Sequence, residues 1–296
     1  MDTRYLKTLS MVLSTGSFSK AAEELYITQS AVSQRIKAIE EQFGLPLLDR
    51  SGTVLQPTDA GEAVLKAAEQ ILAIEHSLKK ELQNLGRKPG ISLCCTPTFG
   101  IVYLPHVLNR FFLCYSEGVD LKFMLNTPER SLKGVLANDF DLAVIEHCEN
   151  VQAAGAEVYQ LPADELIFIS APALQIPGKD VRLQDLTCHR LIARRDGCSS
   201  RHLLESNLSR FGKSLEDFNG TIVYDDLHLT IQSVLSGNGV AFVSRSMVDE
   251  QLEKGTLREH MVDGFASNRL RSIVVNGKRG QDPLIKSLIA SIFSAV

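Results

Sequence analysis

No apolar run in this chain approaches the roughly 20 residues that a membrane-spanning helix needs. The N-terminus also lacks a basic segment leading into an apolar one, so no secretion signal is expected and the cytoplasm is the expected compartment. The cysteines Cys94, Cys95, Cys114, Cys148, Cys188 and Cys198 show no C-x-x-C spacing and no histidine at metal-ligand spacing. They are expected to be reduced and mostly buried, with no metal and no cofactor implied. Absent too are G-x-S-x-G, G-x-x-x-x-G-K-S/T and H-E-x-x-H. Gly237-Asn-Gly239 lacks a third glycine and follows a helix pattern, so it is no dinucleotide fingerprint. An enzyme is disfavoured on these grounds. No segment repeats with a period of about 20–50 residues. Nor is there a surplus of cations: a net charge of −4 and a pI near 6.0 argue against a whole-surface nucleic-acid binder and leave a local one open.

Within an ordinary composition, 296 residues suffice for two or three domains. Residues 17–43 carry the densest pattern. Ser17 can cap a helix that buries Phe18, Ala21, Ala22 and Leu25, an i, i+3, i+4, i+7 stripe. Tyr26-Ile27 turns the chain, and Thr28 is a second cap-type residue. Val32, Ile36, Ile39 and Phe43 then form one apolar stripe. At about 100° per residue Ser30, Gln34 and Lys37 point away from it, with Ser33 and Arg35 on its flanks. A short helix, a tight turn and a second helix with such groups outward make a helix-turn-helix. Its second helix would offer Gln29, Ser30, Ser33, Gln34 and Arg35 to base edges in the major groove. On pattern alone, a helical hairpin with a merely solvated outer face accounts for it equally well.

Residues 2–14 read as a preceding helix with Leu6, Leu9 and Leu13 turned inward. Leu47 to Leu55 read as a two-stranded hairpin turning at Ser51-Gly52, a wing that would carry Arg50 and Thr53 to phosphate or the minor groove. Thr58 caps a long helix running to about Leu85 and stopping at Gly86. Along it Val64, Ala68, Ile71, Glu75, Leu78, Leu82 and Leu85 alternate four- and three-residue steps, a coiled-coil-like seam about 40 Å long. Such a seam either packs on its own chain or joins two chains. Beside a DNA-binding domain the second reading is favoured, because it spaces two such domains for two half-sites.

Gly16-Ser-Phe18, Ala21-Ala22, Leu25, Thr28-Gln-Ser-Ala-Val-Ser33, Ile36, Glu40, Gly44 and Leu47-Leu-Asp-Arg50 resemble the N-terminal domain of LysR-type transcriptional regulators. Ser30 stands where that bacterial family usually has proline. The resemblance implies sequence-specific binding of double-stranded promoter DNA at interrupted dyad half-sites. It also implies backbone contact by Arg4, for which a solvated arginine is the other reading, with phosphate contacts from Lys37 and Arg50. Self-association as a homodimer or tetramer follows as well, with RNA polymerase as a further partner and no membrane partner.

From Gly90 short apolar runs alternate with helices. Strands at 91–95, 119–125 and 141–145, with helices over about 99–115 and 128–138, give a β-α-β-α-β order and a mostly parallel sheet. Strands at 165–170, 191–193, 221–224, 240–243 and 272–275 follow, with helices over about 199–211, 227–236 and 281–295. This series resembles the LysR effector domain, itself similar to periplasmic binding proteins. The expected fold class is therefore α/β: a winged helix-turn-helix over 1–58, a linker helix over 59–89 and a two-lobed effector domain over 90–296. Lobe I would take about 90–161 and 267–296, and lobe II about 162–266. A stand-alone solute-binding protein fits residues 91–296 but leaves the first 86 unexplained.

Ligands of open α/β sheets lie beyond the C-terminal strand ends, where helix N-termini offer free N–H groups. Thr96-Pro-Thr98 and Gly197-Cys-Ser-Ser-Arg201 are two such turns, although plain capping explains either one alone. The family resemblance implies that they line an effector cleft, which assigns Thr96, Thr98, Cys198, Ser199 and Ser200 to it. Asn126-Thr127 and Asp225-Asp226 end two other strands and would face the same cleft, adding Thr127 and Asp226. A small, polar, carboxylate-bearing effector fits the N–H groups, and the aspartates leave a zwitterion open. Cys198, between Arg195 and Arg201, also invites a redox reading, but no cysteine between 199 and 296 could resolve it.

Overall fold

The structure, a computed structural model, describes residues 2–50, 55–84, 89–115 and 118–296. It divides into two compact units, Met1–Arg87 and Lys88–Val296. Among the described residues no helix is long and apolar enough to cross a membrane.

The first unit contains α1 (Thr3–Thr15), α2 (Phe18–Glu24), α3 (Gln29–Phe43), β1 (Leu48–Asp49), β2 (Gln56–Pro57) and α4 (Asp59–Asn84). Side-chain oxygens of Asp2, Ser17 and Thr28 accept from backbone N–H groups in the first turns of α1, α2 and α3. Gly16 and Gly44 end α1 and α3 in the left-handed region, at φ 63° and 68°, where a side chain would be strained. Leu6, Leu9, Val12, Ala21, Ala22, Val32, Ile36 and Ile39 interlock with Leu47 and Ala68 as one core. The α3 stripe is one residue shorter than expected, because Phe43 is 41% exposed.

The start of the α4 seam belongs to this same core: Ala68 is buried in it, and Val64 and Ile71 pack against it. Beyond that point Ile74, Leu78 and Leu82 are exposed. Leu85 and Gly86 lie outside the described residues, as do the expected wing turn at Ser51-Gly52 and Thr53. The returning wing strand is Gln56–Pro57, not the segment ending at Leu55 that the sequence suggested. Thr58 sets this position. Its N–H donates to the Leu47 carbonyl at 3.1 Å and its hydroxyl to the Pro46 carbonyl at 2.7 Å, while the same hydroxyl caps α4.

The second unit runs β3 (Gly90–Cys95), α5 (Pro97–Val102), α6 (Leu104–Cys114), β4 (Asp120–Leu125), α7 (Pro128–Leu136), β5 (Leu142–His147), β6 (Ala156–Ser170) and β7 (Asp180–Val181). It continues through α8 (Leu183–Thr187), β8 (Leu191–Arg194), α9 (Ser199–Arg210), β9 (Thr221–Tyr224), α10 (Leu227–Leu235), β10 (Ala241–Ser244), α11 (Asp249–Glu253), β11 (Arg258–Val262), β12 (Asn268–Asn276) and α12 (Pro283–Phe293). The sheet order is β4-β3-β5-β12-β6-β11-β7, with β10 also paired to β6 and the parallel pair β8-β9 joined beside it through the Leu191–Val240 bridge.

Two departures from the expected pattern matter. The sheet is mixed: β3 runs parallel to β4 and β5, but β12 is antiparallel to β5 and β6, and β6 is antiparallel to β10 and β11. Strand β6 is also far longer than 165–170. Its first part pairs with β12 and its last five residues pair with β10 and β11, so one strand serves both halves. The polar Gln160, Asp164 and Glu165 hid that continuity from an apolar-run reading. The helix expected over 99–115 is broken after Val102, because Pro105 has no N–H for the Ile101 carbonyl. One core gathers around Phe99, Phe111, Leu142, Ile273 and Leu288, the other around Phe168, Leu191, Leu204 and Phe242.

Candidate nucleic-acid interface and ligand cleft

In the first unit, Gln29, Ser30, Gln34 and Lys37 are exposed on α3, with Ser33 and Arg35 half-buried beside them. Gln29, Ser33, Lys37 and Arg50 share one concavity with Phe18 and Glu40. Glu40 anchors the wing to α3: one carboxylate oxygen accepts from Leu47 N–H at 2.9 Å and Leu48 N–H at 3.3 Å, and the other from Arg50 at 3.1 Å. Arg35 leans back, donating to the Thr8 hydroxyl at 3.3 Å. Lys37 lies 3.5 Å from Glu41. Arg4 sits outside the concavity and holds Asp2 at 2.6 Å, and its hydrogen bond draws the Asp2 carboxyl down to about 2. Exposed pairs of this kind contribute little, so these cations can exchange a carboxylate for a phosphate.

In the second unit, Thr96, Thr98, Thr127, Cys198, Ser199 and Ser200 line one narrow cleft with a cavity volume of about 30 Å³. Thr96, Thr127 and Cys198 precede α5, α7 and α9 without capping them by a side chain, which leaves first-turn N–H groups to other partners. Gly197 brings the two sides together at φ +79°, and a Cβ there would stand 3.5 Å from Thr127 Cγ2. Asp226 departs from expectation. It is exposed and caps α10 by accepting from Leu229 N–H at 2.9 Å, outside the cleft lining. Asp225 is turned to Arg195, 2.5 Å away. The aspartates therefore give no support to an amine-bearing ligand.

The sequence reading missed the charges beneath this cleft. Glu146 on β5, Asp164 on β6, and Arg269 and Arg271 on β12 are all buried. Cross-strand register pairs Arg271 with Glu146 and Arg269 with Asp164. Arg269 Nε donates to Asp164 Oδ2 at 2.8 Å and Arg271 Nη2 to Asp164 Oδ1 at 2.9 Å. Glu146 lies 3.8 Å from Arg269 and 3.7 Å from Arg271, whose guanidinium covers the Tyr103 ring at 4.6 Å. Burial opposes the Arg269 charge, but Glu146 and Asp164 outweigh it and raise its pKa. Two arginines at i and i+2 before an apolar strand were the available signal, since that spacing puts both on one face.

Arg269 also reaches the cleft. Nη1 donates to Ser199 Oγ at 2.8 Å and Nη2 to Thr98 Oγ1 at 3.0 Å, tying the first turns of α5 and α9 together. Both hydroxyls accept from the guanidinium, so each keeps its hydrogen for an acceptor in the cleft. Thr96 differs, because its hydroxyl already donates to Glu146. Cys148 Sγ donates to the Ser199 carbonyl at 3.4 Å, and burial pushes that thiol up, which makes it a poor nucleophile.

The LysR substrate binding domain profile matches residues 86–295, and that of the bacterial regulatory helix-turn-helix proteins of the lysR family matches residues 3–62. A probable RuBisCO transcriptional regulator of Cyanidium caldarium is 29% identical over 279 residues, covering 93% of this chain and 87% of that protein. Its counterpart in Synechocystis is 27% identical over 280 residues, covering 93% and 80%. Full-length LysG from Corynebacterium glutamicum with bound effector Arg superposes with a TM-score of 0.58 at 22% identity, covering 100% of this chain and 98% of that one. ArgP from Mycobacterium tuberculosis gives 0.57 at 18% identity, covering 100% and 97%. The structural likenesses establish the fold.

Proposed function

The chain belongs to the LysR family of transcriptional regulators, and on that premise we propose that a small carboxylate-bearing metabolite, bound between the halves of the second unit, controls its grip on promoter DNA. The observation that carries this reading is the Arg269 bridge, which aims the Thr98 and Ser199 hydroxyls from opposite sides at one space. A ligand accepting from both favours one relative setting of the two sides, and that differential affinity is what shifts a regulator between states. The bound arginine of LysG carries a carboxylate of this class.

On the DNA side, Gln29, Ser30, Ser33, Gln34 and Arg35 read base edges, and Arg4, Lys37 and Arg50 hold phosphates. Two copies associate through the exposed Ile74, Leu78 and Leu82 of α4, so that two recognition helices meet two half-sites in the cytoplasm. Calorimetry of the full-length protein against a panel of small carboxylates tests the cleft. Thr98→Val and Ser199→Ala should each weaken the ligand that binds, leaving DNA affinity in its absence near the wild-type value. A ligand bound equally tightly by both variants places the effector elsewhere.

A further inference from the structure

We propose that Arg194 is the counter-ion of the effector and that the effector presents one negative charge to it, an inference that rests on the reading of the cleft as the effector site. The charges around the cleft decide this. Arg269 and Arg271 are matched by Glu146 and Asp164 at 2.8–3.8 Å. Arg195 is matched by Asp225 at 2.5 Å, although the angle there forms no hydrogen bond. Arg201 is matched by Asp196 and Glu205, each at 2.8 Å. Arg194 lines the same cleft and is only 5% exposed, yet among the described residues no carboxylate lies within 4.0 Å of it. Its partners are neutral: Nη1 donates to the carbonyls of Tyr224 and Asp225, and Nη2 approaches Cys198 Sγ at 3.8 Å.

Carbonyls satisfy donors but give Arg194 no direct ion pair; the exposed Asp226, whose carboxyl the Arg194 charge helps to lower, compensates it only in part, an unfavourable state until an anion arrives. The neighbouring groups are chosen for the same arrival. The uncapped first turn of α9 offers N–H groups, and the Thr98 and Ser199 hydroxyls, accepting from Arg269, each keep a hydrogen to donate. One unmatched positive charge calls for one negative charge, so the ligand class is a small monocarboxylate. A dianion would leave a buried negative surplus.

Thermal unfolding of the full-length protein at pH 7.5 with acetate, benzoate, succinate or inorganic phosphate, at matched ionic strength, tests the assignment. Acetate or benzoate should raise the melting temperature saturably and bind more tightly than succinate or phosphate. Arg194→Met should weaken that binding on the order of a hundred-fold, with Arg194→Lys retaining part of it. Without anion, Arg194→Met should melt at or above wild type, because it removes a buried unmatched charge. Tighter binding of the dianions, or no saturable effect of any anion on wild type, overturns the proposal. So does an Arg194→Met protein that melts lower yet binds normally, which would make the arginine a strut for the 224–225 carbonyls. If Arg194→Met binds normally while Thr98→Val binds weakly, only the counter-ion assignment falls. If both bind normally, the cleft reading falls with it.

Discussion

Replacing Arg269 with methionine isolates the buried charge cluster. The substitution keeps much of the side-chain volume and leaves two carboxylates facing one guanidinium. Asp164 Oδ1 stays satisfied, since Arg271 still donates to it at 2.9 Å and Ser244 at 2.6 Å, while Oδ2 loses its bond from Arg269. The uncompensated charge is then Glu146, whose remaining cation is 3.7 Å away and whose Oε1 has no hydrogen-bond partner. Breaking a buried pair from one side costs about 3–5 kcal/mol. At about 2–4 °C per kcal/mol for a unit of this size, the melting temperature should fall by roughly 6–20 °C. One control follows from the same reasoning. Adding Glu146→Gln removes the stranded charge and should restore much of the loss, a non-additive result. Circular dichroism of the three variants reads the effect. A deficit below about 1 kcal/mol, or a double variant weaker than either single one, would show that the cluster does not act as a charge-balanced unit.

Further outcomes follow from the two units. Gln34→Ala should cost about 1–3 kcal/mol on the preferred DNA site and much less on random DNA, whereas Lys37→Ala and Arg50→Ala should weaken both alike and flatten the salt dependence; equal losses for Gln34→Ala on both DNAs would contradict base reading. Leu78→Asp, on the exposed part of α4, should break the dimer at micromolar concentration in sedimentation without lowering the melting temperature of the monomer, and an unchanged oligomer would move the interface elsewhere. Burial holds His147 and His260 below the ordinary 6.5, so the unfolded chain takes up their protons first; their contribution is complete above about pH 6.5 and is lost as pH falls below it. His260→Gln should therefore flatten the fall in melting temperature between pH 7 and pH 5, and a slope equal to that of wild type would contradict a neutral buried His260.

Local signals carried the first unit almost completely. The caps Ser17 and Thr28 and the apolar stripes fix α2 and α3, and they leave Gln29, Ser30, Gln34 and Lys37 outward by spacing alone. The wing was less legible, because its register follows from the hydrogen bonds of Thr58 to residues eleven and twelve positions earlier rather than from its own apolar pattern. In the second unit the turns at Thr96–Thr98 and Cys198–Ser200 were readable as helix starts, and the structure leaves them without side-chain caps and joins them in one cleft. What joins them was not readable. Arg269, Arg271, Glu146 and Asp164 meet only through the register of β5, β12 and β6, across separations of up to 125 residues, and each alone reads as an ordinary surface charge. Asp226 misled for the converse reason: a capping aspartate and a cleft aspartate look alike until α10 is in place.

The regulatory reading of the chain is tested most directly by footprinting the purified protein on the DNA flanking its own gene. The expected result is protection of two half-sites of an interrupted dyad, about a whole number of helical turns apart, lost in Gln34→Ala and in Leu78→Asp. Protection no stronger than on random DNA at physiological salt would contradict sequence-specific regulation by this chain at that site.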